Sequence, residues 1–188
     1  MHAPVLLLIV LNFALIGLLP RIFFRRDGTF NARWCATALP FGVVPLFLIA
    51  AYATDAAPLT PRNWLSITAL AAVVLSVASI ALIFLTLGTH RIPVSLWHQD
   101  GDAPQHLVTY GAYRRIRHPF YASFIVALLA ATVLFPDWVT LGALGYASVV
   151  LNLTAQREER RLCGSAFGAE YRQYLRRTGR FLPRFRAS

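Results

Sequence analysis

The fold is decided by residues 64–87, which read WLSITALAAVVLSVASIALIFLTL. The run contains no charged residue, and about 20 consecutive apolar residues are enough for a helix to cross the hydrocarbon core of a bilayer. The chain of 188 residues is 57% hydrophobic and 14% charged, whereas soluble domains contain about 25% charged residues. The sequence therefore predicts an integral membrane protein.

Four more apolar runs lie on either side of this one, and together they predict an all-α polytopic membrane helical bundle with five transmembrane helices. The predicted spans are Ala3 to Leu19, Trp34 to Ala53, Trp64 to Leu87, Phe120 to Phe135 and Trp138 to Ala155. Pro40 and Pro45 are expected to kink the second span. Pro136 and Asp137 divide the last two spans and predict a tight helical hairpin over residues 120–155.

All 18 basic residues are arginines, and their distribution predicts the orientation of the chain. If the N-terminus lies outside, the cytoplasmic segments carry four arginines in residues 21–33, four in residues 91–117 and nine in residues 157–186, while the outer loops carry Arg62. Because cytoplasmic loops collect basic residues, the C-terminus is predicted to be cytoplasmic. The basic excess is then a topology signal and a surface for anionic membrane lipids, and no nucleic-acid partner is predicted.

Two motifs concentrate ionisable and aromatic side chains next to the apolar runs. A polar loop, residues 88–118, leads into the first motif, Gly111-x-Tyr113-x3-Arg117-His118-Pro119-x-Tyr121. A polar tail, residues 156–188, contains the second, Glu158-Glu159-x2-Leu162-x4-Phe167-Gly168-x2-Tyr171-x2-Tyr174, with Pro183 further on. Both motifs are predicted on the cytoplasmic face, on either side of the hairpin, so that they can build one pocket.

The tail is polar but carries a helical pattern. Apolar residues recur in it loosely like one helix face, and Gly164 and Gly168 interrupt the pattern. We therefore expect a helix that continues from the fifth span, a break between these glycines, a second short helix and an extended end at Pro183.

A simpler interpretation of the charged residues stays open at this point. Glu158 and Glu159 could pair with neighbouring arginines on a helix surface. His118 could be a helix-entry residue, because Pro119 would then occupy the first helical position, where its missing N–H does no harm.

The paired motif resembles that of the isoprenylcysteine carboxyl methyltransferase family of integral-membrane enzymes, and of the related phospholipid methyltransferases, over about residues 105–183. The resemblance implies three N-terminal transmembrane helices in residues 1–87, followed by a catalytic part in residues 88–188 that holds S-adenosylmethionine between loop and tail. It implies catalytic roles for Arg117, His118 and Glu159. It implies cofactor contacts from Gln105, His106, Leu107, Val108, Tyr113, His118, Pro119, Phe120, Tyr121 and Glu159.

The acceptor that the resemblance implies is lipid-like or a small amphiphile, which meets the donor at the cytoplasmic face of a bacterial inner membrane. Ser123 stands where relatives commonly have glycine. Ala155 stands one helical turn before Glu159, where relatives that methylate prenylcysteine carboxylates carry an arginine. Arg157 or Arg160 could bind the substrate in its place only if the helix is rotated, and otherwise the acceptor is expected to be another lipid, an amine, a thiol or a small amphiphile instead of a prenylcysteine carboxylate.

Two other functions remain open on the sequence. One is an NADPH-dependent, sterol-reductase-like membrane enzyme, and the other is a non-catalytic membrane module that binds lipid through the basic tail. No disulfide or metal site is predicted, because Cys35 and Cys163 lie far apart in unlike contexts.

Overall fold

The computed structural model of the chain describes residues 2–19, 28–89 and 107–184. Within this part of the chain there are six α-helices and two short 3-10 turns, Arg62–Trp64 and Gly111–Arg114. The α-helices are α1 (Ala3–Gly17), α2 (Ala32–Ala53), α3 (Leu65–Thr89), α4 (Pro119–Leu134), α5 (Trp138–Cys163) and α6 (Gly168–Arg177). The described residues contain no β-strand, so the prediction of an all-α fold is confirmed.

Three of the helices are long enough and apolar enough to cross a membrane. They are α2, α3 and α5, with 22, 25 and 26 residues. The apolar helices α1 and α4 are shorter, with 15 and 16 residues, and rise only about 22–24 Å, against a hydrocarbon core of about 30 Å. The structure thus supports an integral membrane protein with several spans, while the count of five spans and the orientation of the termini stay predictions.

Helix α4 lies at the centre of the bundle, in contact with α1, α2, α3 and α5. It is apolar all round, and most of its residues are buried, as expected of a central helix. The outer helices instead expose large apolar side chains that suit contact with lipid tails, among them Leu7, Leu39, Leu46, Leu70, Val74 and Val149. This arrangement puts the N-terminus of α4 in the middle of one end of the bundle.

A buried polar cluster joins three of the helices. The Ser79 hydroxyl in α3 donates a 2.9 Å hydrogen bond to the Ser123 carbonyl oxygen in α4, and its oxygen lies 3.3 Å from Asn12 Oδ1 in α1. The Ser123 hydroxyl is satisfied by the Phe120 carbonyl oxygen at 2.7 Å. Ser123 is fully buried, and its small side chain lets α3 and α4 approach each other closely, as small residues do in membrane bundles.

The helical hairpin and the helical tail agree with the sequence predictions. Only Phe135 to Asp137 separate α4 from α5, and Asp137 caps α5 by accepting a 2.9 Å hydrogen bond from the Val139 N–H. Helix α5 continues beyond the predicted span to Cys163, and α6 follows after a short break. The predicted bounds were wrong by two residues at three ends: α1 stops at Gly17, α2 begins at Ala32, and α3 runs on to Thr89, because Gly88 does not break it.

Candidate active site

The two sequence motifs meet where α4 begins and α5 ends. The short hairpin sets these helices side by side, so the entry to α4 lies beside the last turns of α5. His118 is the residue before α4, and Pro119 takes the first helical position. On α5, Leu151, Ala155 and Glu159 share one buried face at a spacing of four residues. Residues about 40 positions apart in the chain are therefore brought into contact.

Glu159 is the centre of the cluster. Its Oε1 accepts hydrogen bonds from Arg117 Nε at 2.9 Å and from Arg180 Nε at 3.1 Å, and its Oε2 accepts one from Arg180 Nη2 at 2.6 Å. Glu159 is only 7% exposed, and a buried carboxylate is tolerated when it is paired in this way. The simpler interpretation, in which Glu159 pairs with neighbouring arginines on a helix surface, is wrong, because its cations come from the α4 entry and from the tail.

His118 lies between the two carboxylates. Its Nδ1 is 3.4 Å from Glu158 Oε2, and its Nε2 is 3.3 Å from Glu159 Oε1. Burial opposes protonation of this imidazole, but the two carboxylates outweigh it and raise the pKa of His118. The Nε2 atom is buried and has no hydrogen bond of good geometry. His118 is thus more than the helix-entry residue of the simpler interpretation.

Aromatic rings form the wall next to His118. The Tyr121 ring stacks on the imidazole, with 5.3 Å between centroids and 2° between planes, and Phe181 meets the imidazole edge-on at 6.2 Å. The Tyr121 hydroxyl donates a 2.6 Å hydrogen bond to Glu158 Oε1. Burial, with the nearby Tyr174 and Glu158, raises the pKa of Tyr113, so its phenol stays neutral.

Sequence reasoning missed the parallel pairing that brings the tail to the motif. The Gly179 N–H donates to the Arg115 carbonyl oxygen at 3.1 Å, and the Arg117 N–H donates to the Gly179 carbonyl oxygen at 2.9 Å. The His118 N–H then donates to the Arg180 carbonyl oxygen at 3.1 Å. This short ladder sets Arg180 beside Glu159. A glycine two residues after the last helix was the one local signal of a close backbone approach.

Arg117 also holds the end of α6. Its Nη1 donates to the Thr178 carbonyl oxygen and lies 3.4 Å from the Leu175 carbonyl oxygen. Leu175 lies in the last turn of α6 and Thr178 directly follows the helix, where carbonyl oxygens lack partners within the helix. One arginine therefore joins the α4 entry, α5 and α6.

The remaining predicted site residues fall into three groups. Val108, Pro119 and Phe120 are buried close to the cluster along the chain, and Leu107 is half-buried. Gln105 and His106 lie outside the described residues. Arg157 and Arg160 are exposed on α5, and the structure does not bring them to Glu159. Glu158 and Arg180 belong to the cluster, although neither was among the predicted site residues.

Comparison with known proteins identifies the family of the chain. The model of the isoprenylcysteine carboxyl methyltransferase (ICMT) family matches residues 70–163. Methanethiol S-methyltransferase 1 of Bradyrhizobium diazoefficiens is 32% identical over 96 residues, which are 51% of this chain and 32% of that protein. Protein-S-isoprenylcysteine O-methyltransferase A of Arabidopsis thaliana is 31% identical over 97 residues, which are 50% of this chain and 46% of that protein.

The aligned part of the chain spans less than half the length of either relative. No solved structure matches the chain. The residues that match the family model include α4, all of α5, and with them the carboxylates and Arg117 of the site. The match confirms the resemblance carried by the paired motif, and the chain belongs to the isoprenylcysteine carboxyl methyltransferase family.

Proposed function

We propose that the protein is an integral-membrane, S-adenosylmethionine-dependent methyltransferase that acts on a lipid-like or amphiphilic acceptor at the cytoplasmic face of a bacterial inner membrane. The observation that carries the proposal is the meeting of His118 with Glu158 and Glu159, at distances of 3.4 Å or less. Membership of a methyltransferase family supports the reaction class.

The residues of the cluster fit a zwitterionic sulfonium donor. Glu159 accepts three hydrogen bonds, whereas a carboxylate offers about four acceptor sites, so Oε2 keeps room for one donor group of a ligand. The stacked rings of His118 and Tyr121 offer aromatic faces for a purine or a cation. The buried His118 Nε2 is a polar atom that a ligand can satisfy. The donor, when bound, supplies an electrophilic methyl group.

The protein's part in such a transfer is to hold the donor and the acceptor, to align the reacting atoms and to exclude water. Methyl transfer is an in-line displacement, which gains mainly from the alignment of the reacting atoms and from a dry site. Arg117 fixes Glu159 and the end of α6 together, and Phe181 covers the edge of His118. A carboxylate or thiolate acceptor requires no base in the transfer step, whereas an ammonium would first have to lose a proton.

The first test is binding of S-adenosylhomocysteine to the detergent-purified protein by calorimetry, with NADPH as the comparison ligand. We expect saturable binding of S-adenosylhomocysteine and none of NADPH. Glu159→Gln should weaken the binding at least tenfold, because a charged acceptor is lost. Glu170→Gln is the matched control, since Glu170 is exposed on α6. Saturable NADPH binding would favour the reductase, and no binding of either ligand would favour the non-catalytic module.

The second test concerns the acceptor. The names of the two relatives suggest a small thiol and an S-prenylated cysteine as first probes. With methyl-labelled donor, we expect label in methanethiol, in an S-prenylated cysteine or in a membrane lipid extract, and no transfer by the Glu159→Gln variant. Donor binding without transfer to any of the three acceptors would contradict an amphiphilic or lipid-like acceptor.

A further inference from the structure

We propose that Arg180 binds the anionic group, a carboxylate or a thiolate, of the methyl acceptor. This inference rests on the proposed function and names the substrate class of the same site. The starting point is the direction of the Arg180 side chain, which runs along α5 from Glu159 towards the apolar part of that helix.

Two anchors fix this direction. Arg180 Nη2 donates to Glu159 Oε2 at 2.6 Å, and Arg180 Nη1 donates to Asn152 Oδ1 at 2.6 Å. Residues 152 and 159 are two helical turns apart, about 10.5 Å along one face of α5. Asn152 belongs to the apolar run that ends at Ala155, so the guanidinium lies on the side of Glu159 that is nearer the apolar part of α5. An arginine near a helix end more commonly extends towards water.

Arg180 still has hydrogen-bonding capacity in this position. A guanidinium has five N–H donors, and in the part of the chain that the structure describes Arg180 uses three of them, two on Glu159 and one on Asn152. Its side chain is 28% exposed, so the remaining donors can be reached. A guanidinium held flat with spare donors suits planar recognition of an anion.

Two arginines share the Glu159 carboxylate, while Glu158 lies at the other ring nitrogen of His118. Glu159 is already paired with Arg117 at 2.9 Å, so Arg180 adds a second positive charge to one carboxylate. Ala155, fully buried on the same α5 face, contributes no charge. An anionic head group that enters from the bilayer would meet a fixed cation at the depth of Asn152.

The chemistry of the transfer fits an anion-binding arginine. The acceptor oxygen or sulfur forms a bond to the methyl carbon, while the pair of electrons in the broken carbon–sulfur bond stays on the donor's sulfur, which becomes a neutral thioether. The acceptor loses its negative charge and becomes an ester or a thioether. Arg180 therefore attracts the substrate more strongly than the product, which favours product release.

The test compares ligands of one chain length on the whole protein in phosphatidylcholine nanodiscs at pH 8.5. The probes are dodecanoate and its neutral ester, methyl dodecanoate. Arg180→Gln should weaken dodecanoate binding about tenfold and leave the ester unchanged, because only the anion uses the guanidinium. Arg184→Gln is the matched control, since Arg184 is exposed in the same tail and donates to the Arg176 carbonyl oxygen. It should leave both affinities unchanged.

Several outcomes would overturn the proposal. The proposal fails if Arg180→Gln binds dodecanoate with wild-type affinity. It also fails if Arg184→Gln loses as much dodecanoate affinity as Arg180→Gln, because an equal loss would indicate a general effect of surface charge. If Arg180→Gln does not fold, Arg180→Lys decides, because lysine keeps the charge for Glu159 but lacks the planar fork. We expect at least a threefold loss for Arg180→Lys, and no loss would contradict the proposal.

A further measurement distinguishes binding of the acceptor from binding of the donor, because the donor also has a carboxylate. Arg180→Gln should keep its affinity for S-adenosylhomocysteine within threefold. A loss as large as that for dodecanoate would assign Arg180 to the donor's carboxylate and overturn the proposal. If the wild-type protein binds no S-adenosylhomocysteine, the proposed function fails, while the dodecanoate comparison still decides whether Arg180 is an anion site.

Discussion

The Tyr121 hydroxyl donates a 2.6 Å hydrogen bond to Glu158 Oε1, and so joins the first turn of α4 to the end of α5. The Tyr121 ring lies parallel to His118, whose Nδ1 is 3.4 Å from the other oxygen of the same carboxylate. Tyr121 thus orients Glu158, and Glu158 in turn holds the imidazole. One phenol positions both a carboxylate and a histidine.

Tyr121→Phe should keep the stack on His118 and remove the hydrogen bond to Glu158. We expect a loss of about 1–3 kcal/mol in the free energy of unfolding, because the carboxylate loses a buried donor, and weaker binding of S-adenosylhomocysteine. Denaturation and calorimetry measure the two effects. Tyr146→Phe is the control, since Tyr146 is exposed and donates to the Ala36 carbonyl oxygen. Equal effects of the two substitutions would contradict a special role for Tyr121.

The stability of the protein should depend on pH through His118. Its pKa is raised in the folded protein, so its contribution to stability is fully present below the unfolded pKa of about 6.5 and is lost as the pH rises through the folded pKa. The difference in melting temperature between wild type and His118→Gln should therefore shrink between pH 6 and pH 9. A difference that stays constant with pH would contradict the pairing of His118 with the carboxylates.

Gly111→Ala should destabilise the entry to the motif. Gly111 has a φ of +59°, and a Cβ there would clash with Thr89 Oγ1, which accepts a hydrogen bond from the Ala112 N–H. We expect a loss of about 1–3 kcal/mol from backbone strain and the clash. Gly142→Ala in α5, where a Cβ meets nothing within 4 Å, should be neutral or stabilising. A drop in melting temperature for both variants would show that the loss is not specific to Gly111.

Arg117→Lys should loosen the site although it keeps the positive charge. Lysine can still pair with Glu159, but it cannot at the same time reach the carbonyl oxygens at the end of α6. We expect a loss of about 2–4 kcal/mol in the free energy of unfolding and at least tenfold weaker S-adenosylhomocysteine binding. Arg114→Lys, an exposed position in the same motif, serves as the control. If Arg117→Lys has the same free energy of unfolding as the wild type, Arg117 does not hold the site together.

The helices could be predicted from the sequence because apolar length is a local property. Residues 64–87 carry no charge, and Asp137 is a capping residue directly after a helix-breaking proline, so both the span and the hairpin follow from neighbouring residues. The distribution of the arginines then predicted both motifs on one face, and the family resemblance singled out Arg117, His118 and Glu159.

The role of Arg180 could not be predicted in this way. It depends on the pairing of Gly179 with Arg115 and Arg117 about 60 residues earlier in the chain, and on a side chain that runs back along α5 to Asn152. The tail contains nine arginines, and no local pattern distinguishes this one. Exposure of Arg157 and Arg160 likewise depends on how α5 is rotated against α4, which residue spacing alone leaves open.

The ladder between the motif and the tail also fixes when the site is completed during synthesis. Helices α1 to α5 leave the ribosome before residues 179–181, and they can enter the membrane as they emerge. Until Gly179 and Arg180 arrive, Glu159 lacks its Arg180 partner and keeps Arg117 and His118 beside it, and His118 lacks Phe181. A premature stop codon between α5 and Arg180 would therefore give a chain that inserts normally yet has no finished site. Assays of membrane insertion alone would not detect such a defect.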